Sequence, residues 1–262
     1  MAYKNLVVEK ESGYVVAAIN HPPANALGQG ILMDLNTLLD ESLEDSEIRA
    51  IVLTGTGEKL FSAGADINEF DSVKAGNKTE GNRPKVEGND VFSKIENYPK
   101  PVIAAMQGSA YGGGTEISLA CHFRILADTA KVGLPEVRLG IIPGWGGTQR
   151  LPRLIGKTKA LEMMLTGDPL SSADALSFGL VNKVVPASQV LAEAKALAAR
   201  LAQGAPVAIS GIMKAVTKGL QTTIEEGIKI EKACSVVVSA SEDAKEGPKA
   251  FLEKRKPNFH GK

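Results

Sequence analysis

Four short apolar runs constrain this chain most: Tyr14 to Ile19, Ala50 to Thr54, Pro101 to Met106 and Phe123 to Ala127. Each is too short for a core helix, and the second is stopped by Gly55 and Gly57. Runs of this length rich in Val, Ile and Ala read as strands. Helical spacing falls between them, as in Gly30 to Glu44, where Ile31, Leu35, Leu38, Leu39 and Leu43 recur near every third or fourth position. Strand–helix alternation over the first two-thirds predicts an α/β fold.

From Gly146 onward the pattern turns helical. Ser188 to Gln203 sets Val190, Leu191, Ala194, Leu197, Ala198 and Leu201 on one face, with Gly204 as the stop. Further helices are expected over Pro206 to Lys218, Thr223 to Val238 and Ser241 to Lys254. The chain therefore divides near residue 200 into an α/β core, 1–200, and a C-terminal helical region, 201–262. No sequence repeat stands out. The stretch Ser72 to Asn89 is polar and carries Gly76, Gly81, Pro84 and Gly88, which predicts a long surface loop of the kind that serves as a lid.

Thirty basic residues balance thirty acidic ones, so the chain lacks the strong basic field that phosphate-rich nucleic acids require. No apolar run approaches membrane-spanning length and the N-terminus carries no apolar signal region, so a cytoplasmic location is expected. Cys121 and Cys234 form neither a disulfide framework nor metal-ligand spacing, and the Cys121-His122 pair cannot make a metal site alone. No metal and no cofactor are expected.

Chemistry concentrates in two glutamates twenty positions apart. Glu116 closes Gly112-Gly113-Gly114-Thr115-Glu116, where a glycine turn leads from a strand into a helix. The first N–H groups of a helix lack internal partners and face the positive dipole end, so a developing oxyanion is stabilised there. Close helix–strand packing alone would also explain a glycine triplet. A nucleotide loop does not fit: no GxGxxG is present, and at Gly156-Lys157-Thr158 the glycine a P-loop needs falls on Leu151. Glu136 follows Pro135 in a mostly apolar stretch, where a glutamate is either buried and paired or working. Neighbouring carboxyls split into acid and base roles. A second small-residue turn, Ala63-Gly64-Ala65-Asp66, supplies the N–H of Ala65 as a donor; Asp66 with Glu69 reads as a capping box.

Taken in order, these stretches resemble the crotonase family, the enoyl-CoA hydratases and isomerases. The likeness rests on Phe61 to Ile67, Lys100 to Ile117, Leu134 to Gly144, Gly146-Gly147-Thr148-Gln149-Arg150-Leu151-Pro152 and the tail from Ser241 to Pro257, nearly the whole chain. The resemblance implies a spiral of strand and helix units with a C-terminal helical trimerisation region, assembled as a homotrimer or homohexamer. It implies an oxyanion hole at the N–H groups of Ala65 and Gly113, catalytic Glu116 and Glu136, and Gly144 helping to orient water. It places an acyl-CoA substrate along Ala63, Ala65, Asp66, Ile67, Asn68 and Gly113. Many relatives carry a lysine where this chain has Asn68; Lys254, Arg255 and Lys256 are candidates for the phosphates. Trp145, Phe70 and the 72–89 loop are candidates for the acyl pocket. The activity implied is hydration of 2-enoyl-CoA to 3-hydroxyacyl-CoA, as in fatty acid β-oxidation or related acyl-CoA catabolism. Another crotonase reaction, such as enoyl-CoA isomerisation or branched-acyl-CoA hydration, is the alternative, with RNA binding on the same scaffold a more distant one.

Overall fold

The computed structural model describes residues 3–69 and 86–262. Phe70 and most of the polar 72–89 stretch therefore lie outside the described residues. The end of that stretch is already helical: Gly88 and Asn89 open a helix rather than closing a loop.

A six-stranded sheet forms the centre, in the order β1 (Leu6–Glu11), β2 (Tyr14–Ile19), β3 (Ala50–Gly55), β5 (Val102–Met106), β7 (Phe123–Ala127), β10 (Lys183–Val185). The first pair is antiparallel and every other pairing parallel. All residues of β3 and β5 are buried. Parallel strands covered on both faces must be apolar throughout, which is why these runs show no alternation.

A second, four-stranded sheet runs β4 (Leu60–Ser62), β6 (Ser109–Tyr111), β8 (Lys131–Gly133), β9 (Leu170–Ser171). Each of β3, β5 and β7 in the large sheet is followed by a short strand in the small one. After β2 the corresponding piece is a single bridge, Leu27 with Ala65. The repeat of long strand then short strand is thus a property of the fold that the sequence pattern does not display. Helices α1 (Gln29–Glu44), α2 (Gly88–Glu96) and α3 (Gly113–Ala120) connect successive turns of this spiral.

The α4 helix (Gly147–Ile155), α5 (Lys157–Thr166) and α6 (Ser172–Ser177) follow, and α7 (Val190–Ala202) lies across β3 and β5. It packs through Val190, Ala194, Ala198 and Ala202, with Leu197 and Leu201 partly buried against the core, and of the face predicted from periodicity only Leu191 is exposed. Alanines let the helix sit close to the sheet. Then come α8 (Pro206–Gly219), α9 (Ile224–Ser239) and α10 (Glu242–Leu252); Thr223 and Ser241 act as N-caps. The α8–α9 hairpin packs on itself, and neither helix buries a residue within this chain. Among the described residues no single helix is long and apolar enough to cross a membrane.

Candidate active site

The two glycine turns meet where the small sheet ends. Strand β6 stops at Tyr111, and the chain reverses through Gly112 at φ +51° and ψ −128°, a region closed to side-chain-bearing residues. The Thr115 hydroxyl lies 2.9 Å from the Ala110 carbonyl oxygen and 2.8 Å from that of Gly133, tying the turn to both neighbouring strands. Gly64 lies against this turn so closely that a β-carbon there would sit 2.9 Å from the Tyr111 carbonyl oxygen and 3.1 Å from the Gly113 nitrogen. The Ala65 nitrogen would be 3.2 Å from a β-carbon on Gly113. Two chain segments forty-eight positions apart thereby bring the N–H groups of Ala65 and Gly113 side by side. Among the described residues neither donates to a backbone carbonyl.

Glu116 projects from the first turn of α3 and is 2% exposed. Its Oε1 accepts two backbone N–H groups, from Trp145 and Gly147, each at 2.8 Å. Burial pushes its pKa up from 4.5 to about 7, the negative charge of Glu136 adds to the rise, and the two N–H donors and the Arg150 charge oppose it. Glu136 opens a 3-10 turn, Glu136–Leu139, closed by Gly140 in the left-handed conformation. It is also buried, which raises its pKa. Its Oε2 is buried without a hydrogen-bond partner, and its Oε1 lies 3.3 Å from where a Gly112 β-carbon would be. Glu136 therefore borders the glycine turn, and its charge bears on Glu116, whose carboxylate is held by the loop at Trp145 and Gly147.

The remaining sequence candidates have identifiable places. Ala63, Ile67 and Asn68 are exposed beside this turn. Asp66 caps the short helical turn that follows, its Oδ1 accepting from the Asn68 nitrogen at 3.0 Å and the Asn68 side-chain amide at 2.9 Å. The reciprocal half of the expected capping box is redirected. The Glu69 carboxylate accepts the N–H of Gln29 and so caps α1, whose own N-cap residue, Gly28, has no side chain. Gly144 is exposed, and its carbonyl accepts from the Asn89 amide at 2.8 Å. Arg255 is held by Glu246 and Glu253, so of the three basic tail residues it is already engaged within the chain. Cys121 donates to the Ile117 carbonyl, and His122 Nδ1 accepts from the Val102 nitrogen.

Sequence reasoning missed the donors from Trp145 and Gly147. The run Ile142 to Arg150 is visibly a glycine-bearing turn, yet spacing cannot say which N–H faces a glutamate thirty positions away. It also missed Arg150, a buried arginine in a stretch that otherwise reads as a helix start.

Known proteins resemble the chain over nearly its whole length. Residues 9–262 match the family model described as enoyl-CoA hydratase/isomerase. A Bacillus subtilis protein named "Probable enoyl-CoA hydratase" is 46% identical over 247 residues, covering 94% of this chain and 95% of its own. A crotonyl-CoA hydratase of Syntrophomonas wolfei is 42% identical, with both chains covered in full. The crystal structure of enoyl-CoA hydratase from Bacillus anthracis superposes with a TM-score of 0.91 at 38% identity, covering 99% of this chain and 100% of that one.

Proposed function

The chain belongs to the enoyl-CoA hydratase/isomerase family, and from that premise we propose that it hydrates 2-enoyl-CoA thioesters to 3-hydroxyacyl-CoA. The thioester carbonyl oxygen takes the N–H groups of Ala65 and Gly113, which draw charge from the conjugated double bond and stabilise the enolate that forms. Glu116, ionised and held by Trp145 and Gly147, removes a proton from water as the oxygen bonds to C3. Glu136, whose protonated form is favoured by burial, delivers a proton to C2. One C–O and one C–H bond form, the C2–C3 double bond is consumed, and a proton returns from Glu116 to Glu136 through solvent before the next turnover. The pair titrates as a unit, because each charge disfavours the other. The reaction so written needs no metal and no redox cofactor, coenzyme A being part of the substrate.

The observation that carries this reading is a pair of buried, electrostatically interacting carboxyls, one of them against the glycine turn where the N–H groups of Ala65 and Gly113 lie side by side. A single acid would suffice to shift a double bond; adding water calls for a base on the water and an acid at carbon. The CoA portion is proposed to run along Ala63, Asp66, Ile67 and Asn68. The region 201–262 is proposed to assemble the protein as a homotrimer or a hexamer of two trimers. Exposed Ile212, Val216, Leu220, Ile224, Val236 and Val237, on a hairpin neither helix of which buries a residue among the described residues, support that assembly.

Loss of the enoyl-thioester absorbance with crotonyl-CoA tests the proposal. Wild type should hydrate, and Glu116→Gln and Glu136→Gln should each lose several orders of magnitude in kcat while still binding CoA. An inactive wild type across short and long enoyl-CoA would remove the hydratase reading.

A further inference from the structure

Arg150 is a charged side chain 9% exposed, one helical turn into α4. Its Nε and Nη2 donate to Glu96 Oε2 at 3.1 and 3.0 Å, and Nη2 lies 3.4 Å from Ser93 Oγ. Its Nη1 donates to the Trp145 carbonyl oxygen at 2.9 Å. The chain passes under the guanidinium at Gly146, at φ +100°, where a β-carbon would fall 2.1 Å from Nη1. The N–H groups on either side of that carbonyl's loop, from Trp145 and Gly147, are the two that Glu116 Oε1 accepts. A continuous series thus runs from the end of α2 to the base: Glu96 fixes Arg150, Arg150 fixes the Trp145 carbonyl, and the same loop holds Glu116.

We propose that Arg150, anchored by Glu96, is a positioning residue that keeps Glu116 ionised and aimed by holding the Trp145–Gly147 backbone against it. The inference rests on the hydratase reading for its kinetic form, though not for its geometry. A guanidinium is suited to this position because it makes several directed bonds at once and stays charged when buried. Its positive charge opposes the two influences that disfavour the Glu116 carboxylate, burial and Glu136.

The other charged groups on the elements packed against α3 do not compete. Lys94 is paired with Asp40, Arg153 donates to the Gln149 carbonyl, and Asp90, in the first turn of α2, is exposed to solvent. Tyr111, at the end of β6, is a half-buried phenol. That leaves Glu136 and Arg150 as the charges bearing on Glu116.

The test is the pH profile of kcat/KM for crotonyl-CoA in wild type, Arg150→Met and Arg150→Lys. Removing the guanidinium, and with it the hold on the two N–H donors as well as the charge, should move the acidic limb up by about one pH unit, so that activity near pH 6 falls ~10-fold relative to that near pH 9. KM should change little. Arg150→Lys keeps a charge but not the fork of donors, spares the fold, and should move the limb in the same direction by roughly 2- to 3-fold in activity near pH 6. A purely structural role would scale the whole profile down and leave the limb where it is. An unmoved limb in Arg150→Lys, or in both variants, overturns the inference. Infrared difference titration of the carboxylate against Glu116→Gln reads the same shift without turnover. Wild type inactive on enoyl-CoA would sink the hydratase reading alone, and the infrared shift would still decide this one.

Discussion

Substituting Gly113 by alanine separates what the oxyanion turn does from how it is packed. The new β-carbon would meet two ring carbons of Trp145 at 2.6 and 2.7 Å and the Ala65 nitrogen at 3.2 Å. The indole has little room to retreat. Its other side lies against Gly88, where a β-carbon would come within 2.6 Å, and its ring contacts Phe92 edge to face at 5.5 Å between centroids. The backbone at Gly113 is helical, so alanine there gains about 0.4–1 kcal/mol through the unfolded state, while overpacking costs about 1–3 kcal/mol. A net loss of up to ~2.6 kcal/mol in stability is expected. The kinetic effect should be larger, because the clash spreads the Ala65 and Gly113 donors apart. Losing one such donor costs ~10²–10³ in kcat, or about 2.7–4 kcal/mol. Gly88→Ala is the control: it crowds the same indole from the other side and leaves both donors in place. The assay is crotonyl-CoA hydration with thermal melts on the same preparations. Gly113→Ala should lose at least ~100-fold in kcat, against less than about 10-fold for Gly88→Ala, at similar melting temperatures. Equal kinetic losses in the two variants would refute the reasoning, since displacement of the indole would then account for both.

Four further outcomes are expected. Because the Glu116 pKa is raised from 4.5 to about 7 in the folded protein, the folded state holds its proton over that interval and the unfolded state does not. Stability attributable to this group is therefore complete below about pH 4.5 and lost as pH rises through about 7, by up to ~3 kcal/mol, and denaturant titrations of Glu116→Gln should lack that loss. The same ionisation should set the acidic limb of kcat/KM near pH 7, with activity rising above it. Arg124, buried at the C-terminal end of α3 with donors to the carbonyls of Ser118, Cys121 and Leu180, should cost about 3 kcal/mol when replaced by Met, read as a fall in melting temperature. Ile212→Asp with Val216→Asp, on the exposed face of α8, should shift light-scattering mass from a trimer or hexamer toward monomer, and an unchanged mass would rule this face out of the interface.

The central strands were legible because parallel strands buried on both faces carry their own signature. Ala50 to Thr54 and Phe123 to Ala127 appear in the structure nearly to the residue. The C-terminal helices were legible for a related reason: Thr223 and Ser241 are chemically specific caps, and Pro206 sits at a first turn that tolerates it. The small sheet was not. Its strands are two or three residues long, too short for any period to register, and they exist only because the large sheet brings them edge to edge.

For the site, sequence alone determined the inventory: two glutamates, two glycine turns, and the resemblance that orders them. Glycine at positions 64 and 112 can be read in advance as freedom of the backbone, since φ is a local property. What the freedom is for cannot be. Whether Glu116 faces Trp145 and Gly147, whether Glu69 serves its own helix or α1, and whether Arg150 reaches the Trp145 carbonyl are all pairings across tens of residues. Hydrogen bonds and burial depend on distance in space, and only the closing of the spiral sets those distances. Tertiary structure therefore decided the ionisation of the two acids, because the same carboxyl on an open surface would stay near its ordinary value.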